Sequence, residues 1–116
     1  MNNPIERKIE SFADLPSGWN YGEGDPINHN VIDKALEIYQ IGKPLYLNCE
    51  VIPNTDGSIE ISLYRQDHFM DFCINEDMSI DFVYEVGNGT EYNEIENIND
   101  ISIDAIKNKL NRLIEA

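Results

Sequence analysis

Few residues in this chain combine the type and spacing that chemistry requires. Asp25, His29 and Asp33 recur at i, i+4 and i+8, a spacing that would align three ligands on one helix face. A metal site needs about three good ligands and a shell of partners that orients them. Asp25 reads better as a helix cap, and His29 with Asp33 as a solvated pair. Asp67-His68 with Asp71 raises the same question, but a tight turn accounts for Asp67. Glu60 and Asp81 are carboxylates of the kind that share acid–base work. That work needs a cleft to shift a pKa, and an open sheet face supplies none. No Ser–His or Cys–His arrangement has a context that would orient it. Gly22-Glu23-Gly24 lacks the third glycine of a dinucleotide fingerprint and follows no strand, and its Glu would repel a pyrophosphate. The expectation is a non-enzymatic protein with no catalytic residues, no metal and no cofactor.

One loop stands apart. Residues 15–26, Leu-Pro-Ser-Gly-Trp-Asn-Tyr-Gly-Glu-Gly-Asp-Pro, hold the only Trp and are rich in Gly and Pro. Such a stretch forms a shaped loop, because Gly supplies unusual dihedrals and Pro fixes φ. Trp19, Tyr21 and Glu23 are its candidate binding residues. The competing reading makes Trp19 a plug at one end of the core, with the glycines letting the loop wrap tightly around it.

The elements that must position these groups follow from apolar periodicity. Between Leu45 and Val86 four rows alternate apolar and polar as strands do. They are Leu45, Leu47, Cys49 and Val51; Ile59, Ile61 and Leu63; Met70, Phe72 and Ile74; and Ile80, Phe82, Tyr84 and Val86. Parity constrains the turns, since a slip of one residue would move a row to the wrong face. The first and third loops, through Asn54–Gly57 and Glu76–Met78, must be odd in length. The second, Gln66-Asp67, must be even. One register satisfies all three.

Helices flank the meander. Asn3-Pro4 starts a short one reaching about Phe12, with Ile5, Ile9 and Phe12 on one side. Asp25-Pro26 repeats that logic and opens a longer one with an apolar stripe of Ile27, Val31, Ala35, Leu36, Ile38 and Tyr39, stopped at Gly42 and Pro44. Residues 91–100 are acidic, Asn-rich and weakly patterned, and read as loop. Ser102 caps a last helix with a stripe of Ile103, Ile106, Leu110, Leu113 and Ile114, and Lys107, Lys109 and Arg112 lie toward its C-terminal end, where cations suit the helix dipole. No internal repeat or second domain is evident. The expected fold is α+β: a four-stranded antiparallel meander with two main helices on one face, a two-layer sandwich in the order α-α-β-β-β-β-α.

The other face would carry Tyr46, Glu50, Glu60, Tyr64, Phe69, Asp71, Asp81 and Glu85, making it acidic and dotted with aromatics. Phe69 and Val83 would need cover from the N-terminal segment or a second copy. Charge gives this face its interest. The 116 residues carry 22 acidic and 8 basic side chains, net −14. No Lys or Arg occurs between Arg65 and Lys107. Such a field disfavours nucleic acid and anionic membranes and favours a basic protein partner. It also serves solubility without any partner. Cys49 and Cys73 have no metal or redox spacing and fit reduced strand positions. The sequence starts without the apolar core of a signal peptide and has no membrane-length run, so a cytoplasmic location is expected.

The segment at 15–27, Leu-Pro-Ser-Gly-Trp-Asn-Tyr-Gly-Glu-Gly-Asp-Pro-Ile, with the extended stretch at Pro53 and Asp56-Gly57, resembles a group of small bacterial proteins. That group shares a Leu-Pro-x-Gly-Trp…Gly-x-Gly-x-Pro-Ile segment. The resemblance spans residues 12–86 and implies a common domain, with no site residue to carry over. Two functions remain in view. One is an acidic interaction protein, such as an immunity protein, antitoxin, inhibitor or small chaperone, that masks a basic surface; phosphate mimicry is a narrower form of it. The other is a small-ligand module using the Trp19–Asp25 loop. Homodimerisation through a sheet edge or the open face is compatible with either.

Overall fold

The computed structural model describes residues 3–42 and 48–115, with side chains described as far as Arg112. The sequence positions Pro44, Leu45, Tyr46 and Leu47, and the side chains of Leu113 and Ile114, lie outside the described residues. The elements are α1 (Pro4–Ser11), a 3-10 turn (Phe12–Asp14), α2 (His29–Gly42), β1 (Asn48–Pro53), β2 (Ile59–Arg65), β3 (His68–Ile74), β4 (Ile80–Gly87), β5 (Tyr92–Ile98) and α3 (Ile103–Glu115). The sheet is an antiparallel meander in the order β1-β2-β3-β4-β5, and the helices pack on one face of it. The architecture is the expected α+β fold.

The register follows the apolar rows. Val51 faces Ile61, Ile61 faces Phe72, and Phe72 faces Phe82. The connecting loops span 54–58, 66–67 and 75–79, odd, even and odd as parity demands. These rows form the floor of the core. Val31, Ile32, Ala35, Ile38 and Tyr39 of α2 and Ile106 and Leu110 of α3 form its roof, all buried. Burying each Val, Ile or Leu among them contributes about 1.5–3 kcal/mol before entropy is counted. Ile9 and Phe12 of the N-terminal segment join the same core. Asn3 caps α1 by accepting from the Glu6 N–H at 2.9 Å, and its amide donates to Tyr39 Oη at 2.7 Å, tying α1 to α2.

Two readings need correction. First, residues 92–98 form a strand, not a loop. The meander therefore has a fifth strand beyond the four expected. Tyr84 pairs with Glu96 but Glu85 pairs with Glu94, so Ile95 is the extra residue of a bulge. A bulge breaks the two-residue period by which a strand is recognised. β5 is also an edge strand, with Tyr92 and Ile95 about half exposed.

Second, α2 starts at His29, and Asn28 rather than Asp25 is its cap. The Asn28 side chain accepts from the Asn30 N–H at 2.8 Å, and its carbonyl accepts from Val31 and Ile32. Asp25 is held elsewhere: its N–H donates to Thr55 O at 2.9 Å, and its carbonyl accepts from the Trp19 indole. Asp25, His29 and Asp33 therefore do not share a helix face.

The two five-residue hairpin loops share one turn chemistry. Asn54-Thr55-Asp56-Gly57-Ser58 and Asn75-Glu76-Asp77-Met78-Ser79 close two hairpins in the same way. In each loop the Asn N–H donates to the Ser carbonyl. The Asn amide donates to the Ser hydroxyl, and the Asp carboxylate accepts from the Ser N–H and hydroxyl. The fourth residue has positive φ in both loops, +88° at Gly57 and +77° at Met78. The serine hydrogen bonds hold both Asp56 and Asp77 below the usual carboxylate range.

Candidate functional site

Strand alternation sends the polar positions to the face opposite the helices. Register lays them out in transverse rows. One row runs Glu50, Ser62, Asp71, Val83, Asn97. The next, toward the Gln66-Asp67 turn, runs Asn48, Tyr64, Phe69, Glu85, Glu94. On the other side lie Ile52, Glu60, Cys73 and Asp81. All the expected face residues in the described strands are thus brought together, and Tyr46 lies outside the described residues. None of these strand positions on the open face is Lys or Arg; Arg65, at the end of β2, falls on the helix-covered side by parity.

Asp71 sits at the centre. Ser62, itself buried, donates its hydroxyl to Asp71 Oδ1 at 2.7 Å. Burial still pushes the Asp71 carboxyl up to about 6, against the lowering effect of that bond, with Glu60 and Glu85 raising it further. The field reaches Tyr64 too. Its phenol is raised by burial first, then by Glu50, Asp71, Tyr92 and Glu60. Asp81 differs from its neighbours because it is committed to structure. It accepts from the Asn75 amide at 3.1 Å and from the Asp100 N–H at 3.4 Å.

The aromatics gather at one end. Tyr64 and Phe69 are cross-strand partners with centroids 4.9 Å apart, and Tyr92 meets Phe69 at 6.2 Å and 62°. With Glu85 they line a concavity of about 220 Å³. A second, of about 260 Å³, lies beyond Tyr92 against Gln66, Asp67, Gly87, Gly89, Thr90 and Glu91. Phe69 is thus covered by its own neighbours, while α1 is on the core side with Ile9 buried. Tyr92 and Glu94 were missed because β5 was missed. Asn88-Gly89 marks a turn, but Gly87 pairs with Tyr92 across a four-residue connection, and the sequence does not show on which face Tyr92 falls.

The Trp19 loop lies at the opposite end, against the β1–β2 loop. It is a self-closed hairpin. Gly18 N–H donates to Gly24 O, Asn20 and Glu23 exchange backbone bonds, and the Trp19 indole donates to Asp25 O at 2.9 Å. Gly24 packs so closely under the half-buried Trp19 that a Cβ would fall 2.7 Å from the indole nitrogen. Glu23 and Tyr21 point outward. Tyr21 is fully exposed at φ +53°, beside Gly22 at +91°.

The remaining candidates do not assemble. His68 faces the helix side, sharing a 2.7 Å hydrogen bond with Tyr84 Oη, while Asp71 is on the open face. Glu60 and Asp81 flank Cys73 two strands apart, about 10 Å at the usual spacing. Cys49, with its thiol pushed up to about 11 by burial, and Cys73 fall on opposite sides of the sheet. Among the described residues no three His, Cys, Asp or Glu side chains cluster as metal ligands. No helix of the described residues is long and apolar enough to cross a membrane. No family model matches this chain, and neither the curated proteins nor the solved structures give a match.

Proposed function

We propose that this is a cytoplasmic, non-enzymatic interaction protein whose open sheet face docks a basic protein surface. An immunity protein, antitoxin, inhibitor or small chaperone would use such a face. One observation carries the reading: the strand positions of the uncovered face hold Glu50, Glu60, Asp71, Asp81, Glu85 and Glu94 and no cation. Opposed carboxylates on one face cost stability through repulsion. A basic partner relieves that repulsion, and the field speeds the encounter. Tyr64, Phe69 and Tyr92 supply the aromatic anchor that charge alone lacks.

Zero-length carbodiimide coupling in cell lysate tests this, because it joins carboxylates only to amines they touch. The expected product links Glu50, Glu60 or Glu94 to lysines of one protein. Coupling spread evenly over these and the exposed Glu10, Glu37 and Glu91 would remove the reading.

A further inference from the structure

We propose that the pocket framed by Tyr64, Phe69, Tyr92 and Glu85 receives the guanidinium of an arginine carried by the partner. This rests on the open face being a docking surface and adds the group that is recognised there.

Three rings and one carboxylate converge at this point from four different strands. Tyr64 comes from β2, Phe69 from β3, Glu85 from β4 and Tyr92 from β5. Glu85 is directly across from Phe69 in register. The rings are tilted by 40° and 62° rather than stacked flat, so they wall a concavity instead of filling it. Gly87 sets the Tyr92 ring. The two residues are cross-strand partners, and a Cβ at 87 would lie 3.1 Å from Tyr92 Cε1. With no side chain there, the ring closes over the strand and becomes the wall between the two concavities.

The chemistry of that lining selects its occupant. Aromatic faces are electronegative at the centre, and Glu85 adds a full negative charge. An anion is repelled, the more so because Asp67 and Glu91 line the neighbouring concavity. A neutral apolar side chain would fill the space but bury Glu85 without a partner. A guanidinium satisfies both features, since it stacks on an aromatic plane and pairs with a carboxylate through two parallel bonds. A lysine ammonium is a strongly hydrated point charge with no planar face to stack. No lysine or arginine among the described residues lines the pocket, so no internal cation competes.

The test is carbon–proton NMR of the aromatic and the Asp and Glu side chains, on the full chain at low salt. The probe is a short blocked peptide with one arginine between two lysines. Companion peptides carry citrulline, which keeps the shape and loses the charge, or lysine at the centre. Saturable shifts of the Tyr64, Phe69 and Tyr92 ring signals are expected with the arginine peptide. Affinity should fall about tenfold with citrulline and by a smaller factor with lysine. Glu85→Gln and Tyr92→Leu, each with spectra unchanged away from the pocket, should both reduce the arginine peptide toward the citrulline level. Equal binding of the citrulline or the lysine peptide overturns the guanidinium assignment. Salt-sensitive shifts of Glu50, Glu60 and Asp71 with still ring signals overturn the pocket and leave the docking face standing. No shift anywhere on the face overturns both.

Discussion

Asp71 and Gly24 show how single residues set this molecule's behaviour. Asp71 is ionised at neutral pH at a cost, because its carboxyl titrates near 6 in the folded chain against an ordinary value near 3.8. Between those values the native state binds the proton more tightly than the unfolded chain does. The Asp71 contribution therefore raises stability as pH falls from about 7 toward 4, and the penalty is fully present only about one unit or more above 6. Asp56 and Asp77 have the opposite sign. Their values are lowered, so they stabilise above the ordinary value, and that support is lost as pH drops through the lowered one. Asp71→Asn should raise stability at pH 7 by about 1–2 kcal/mol, discounting for partial exposure, and flatten the urea-unfolding profile between pH 4 and 7. Gly24→Ala should do the reverse. At φ +109°, with a Cβ 2.7 Å from the Trp19 indole nitrogen, it should cost about 1–3 kcal/mol. The single Trp reports it directly, through a red-shifted emission maximum.

At the scale of elements, the hydrophobic rows made β2, β3 and β4 legible, because both faces of a central strand leave a period-two trace. Ile59, Ile61 and Leu63 lie in the core and Glu60 and Tyr64 on the open face, as alternation requires. β5 left no such trace. Its bulge at Ile95 shifts the phase, and of its core-side residues Asn93 and Glu96 are polar and only Ile98 is apolar. Lys109 of α3 explains Glu96: it donates to both Glu96 oxygens, at 2.8 and 2.7 Å. In the sequence Lys109 reads as a helix-dipole cation, since its partner is visible only once β5 is placed. Lys109→Met should lower stability by about 1 kcal/mol or somewhat more, since Glu96 is left partly buried and unpaired. Hydrogen exchange should show β5 and α3 amides losing protection first, with β2 and β3 unchanged. The start of α2 misled for a related reason. Asp25-Pro26 has the local chemistry of a cap, but contacts with Thr55 and Trp19 hold Asp25 in another role. The candidate site divides the same way: Glu50, Glu60, Tyr64, Phe69, Asp71, Asp81 and Glu85 were legible from parity, and Tyr92 was not.

For the whole molecule, the fold sorts the strand residues by face. The apolar rows of the strands meet the helices, and the opposite face carries Glu50, Glu60, Asp71, Asp81, Glu85 and Glu94 with Tyr64, Phe69 and Tyr92. The net charge of −14 would serve solubility wherever it lay. Six carboxylates and no cation on the strand positions of one open face, with an aromatic corner beside them, are what the proposal of a partner rests on. The most direct measurement is affinity capture with the tagged chain at low and high salt, with Glu60→Lys/Glu85→Lys beside the wild type. Asp81 is left intact because it holds Asn75 and Asp100 in place. The account predicts a basic protein retained by the wild type at low salt, released at high salt and absent from the double variant. A partner held equally by both forms, or held regardless of salt, would contradict it.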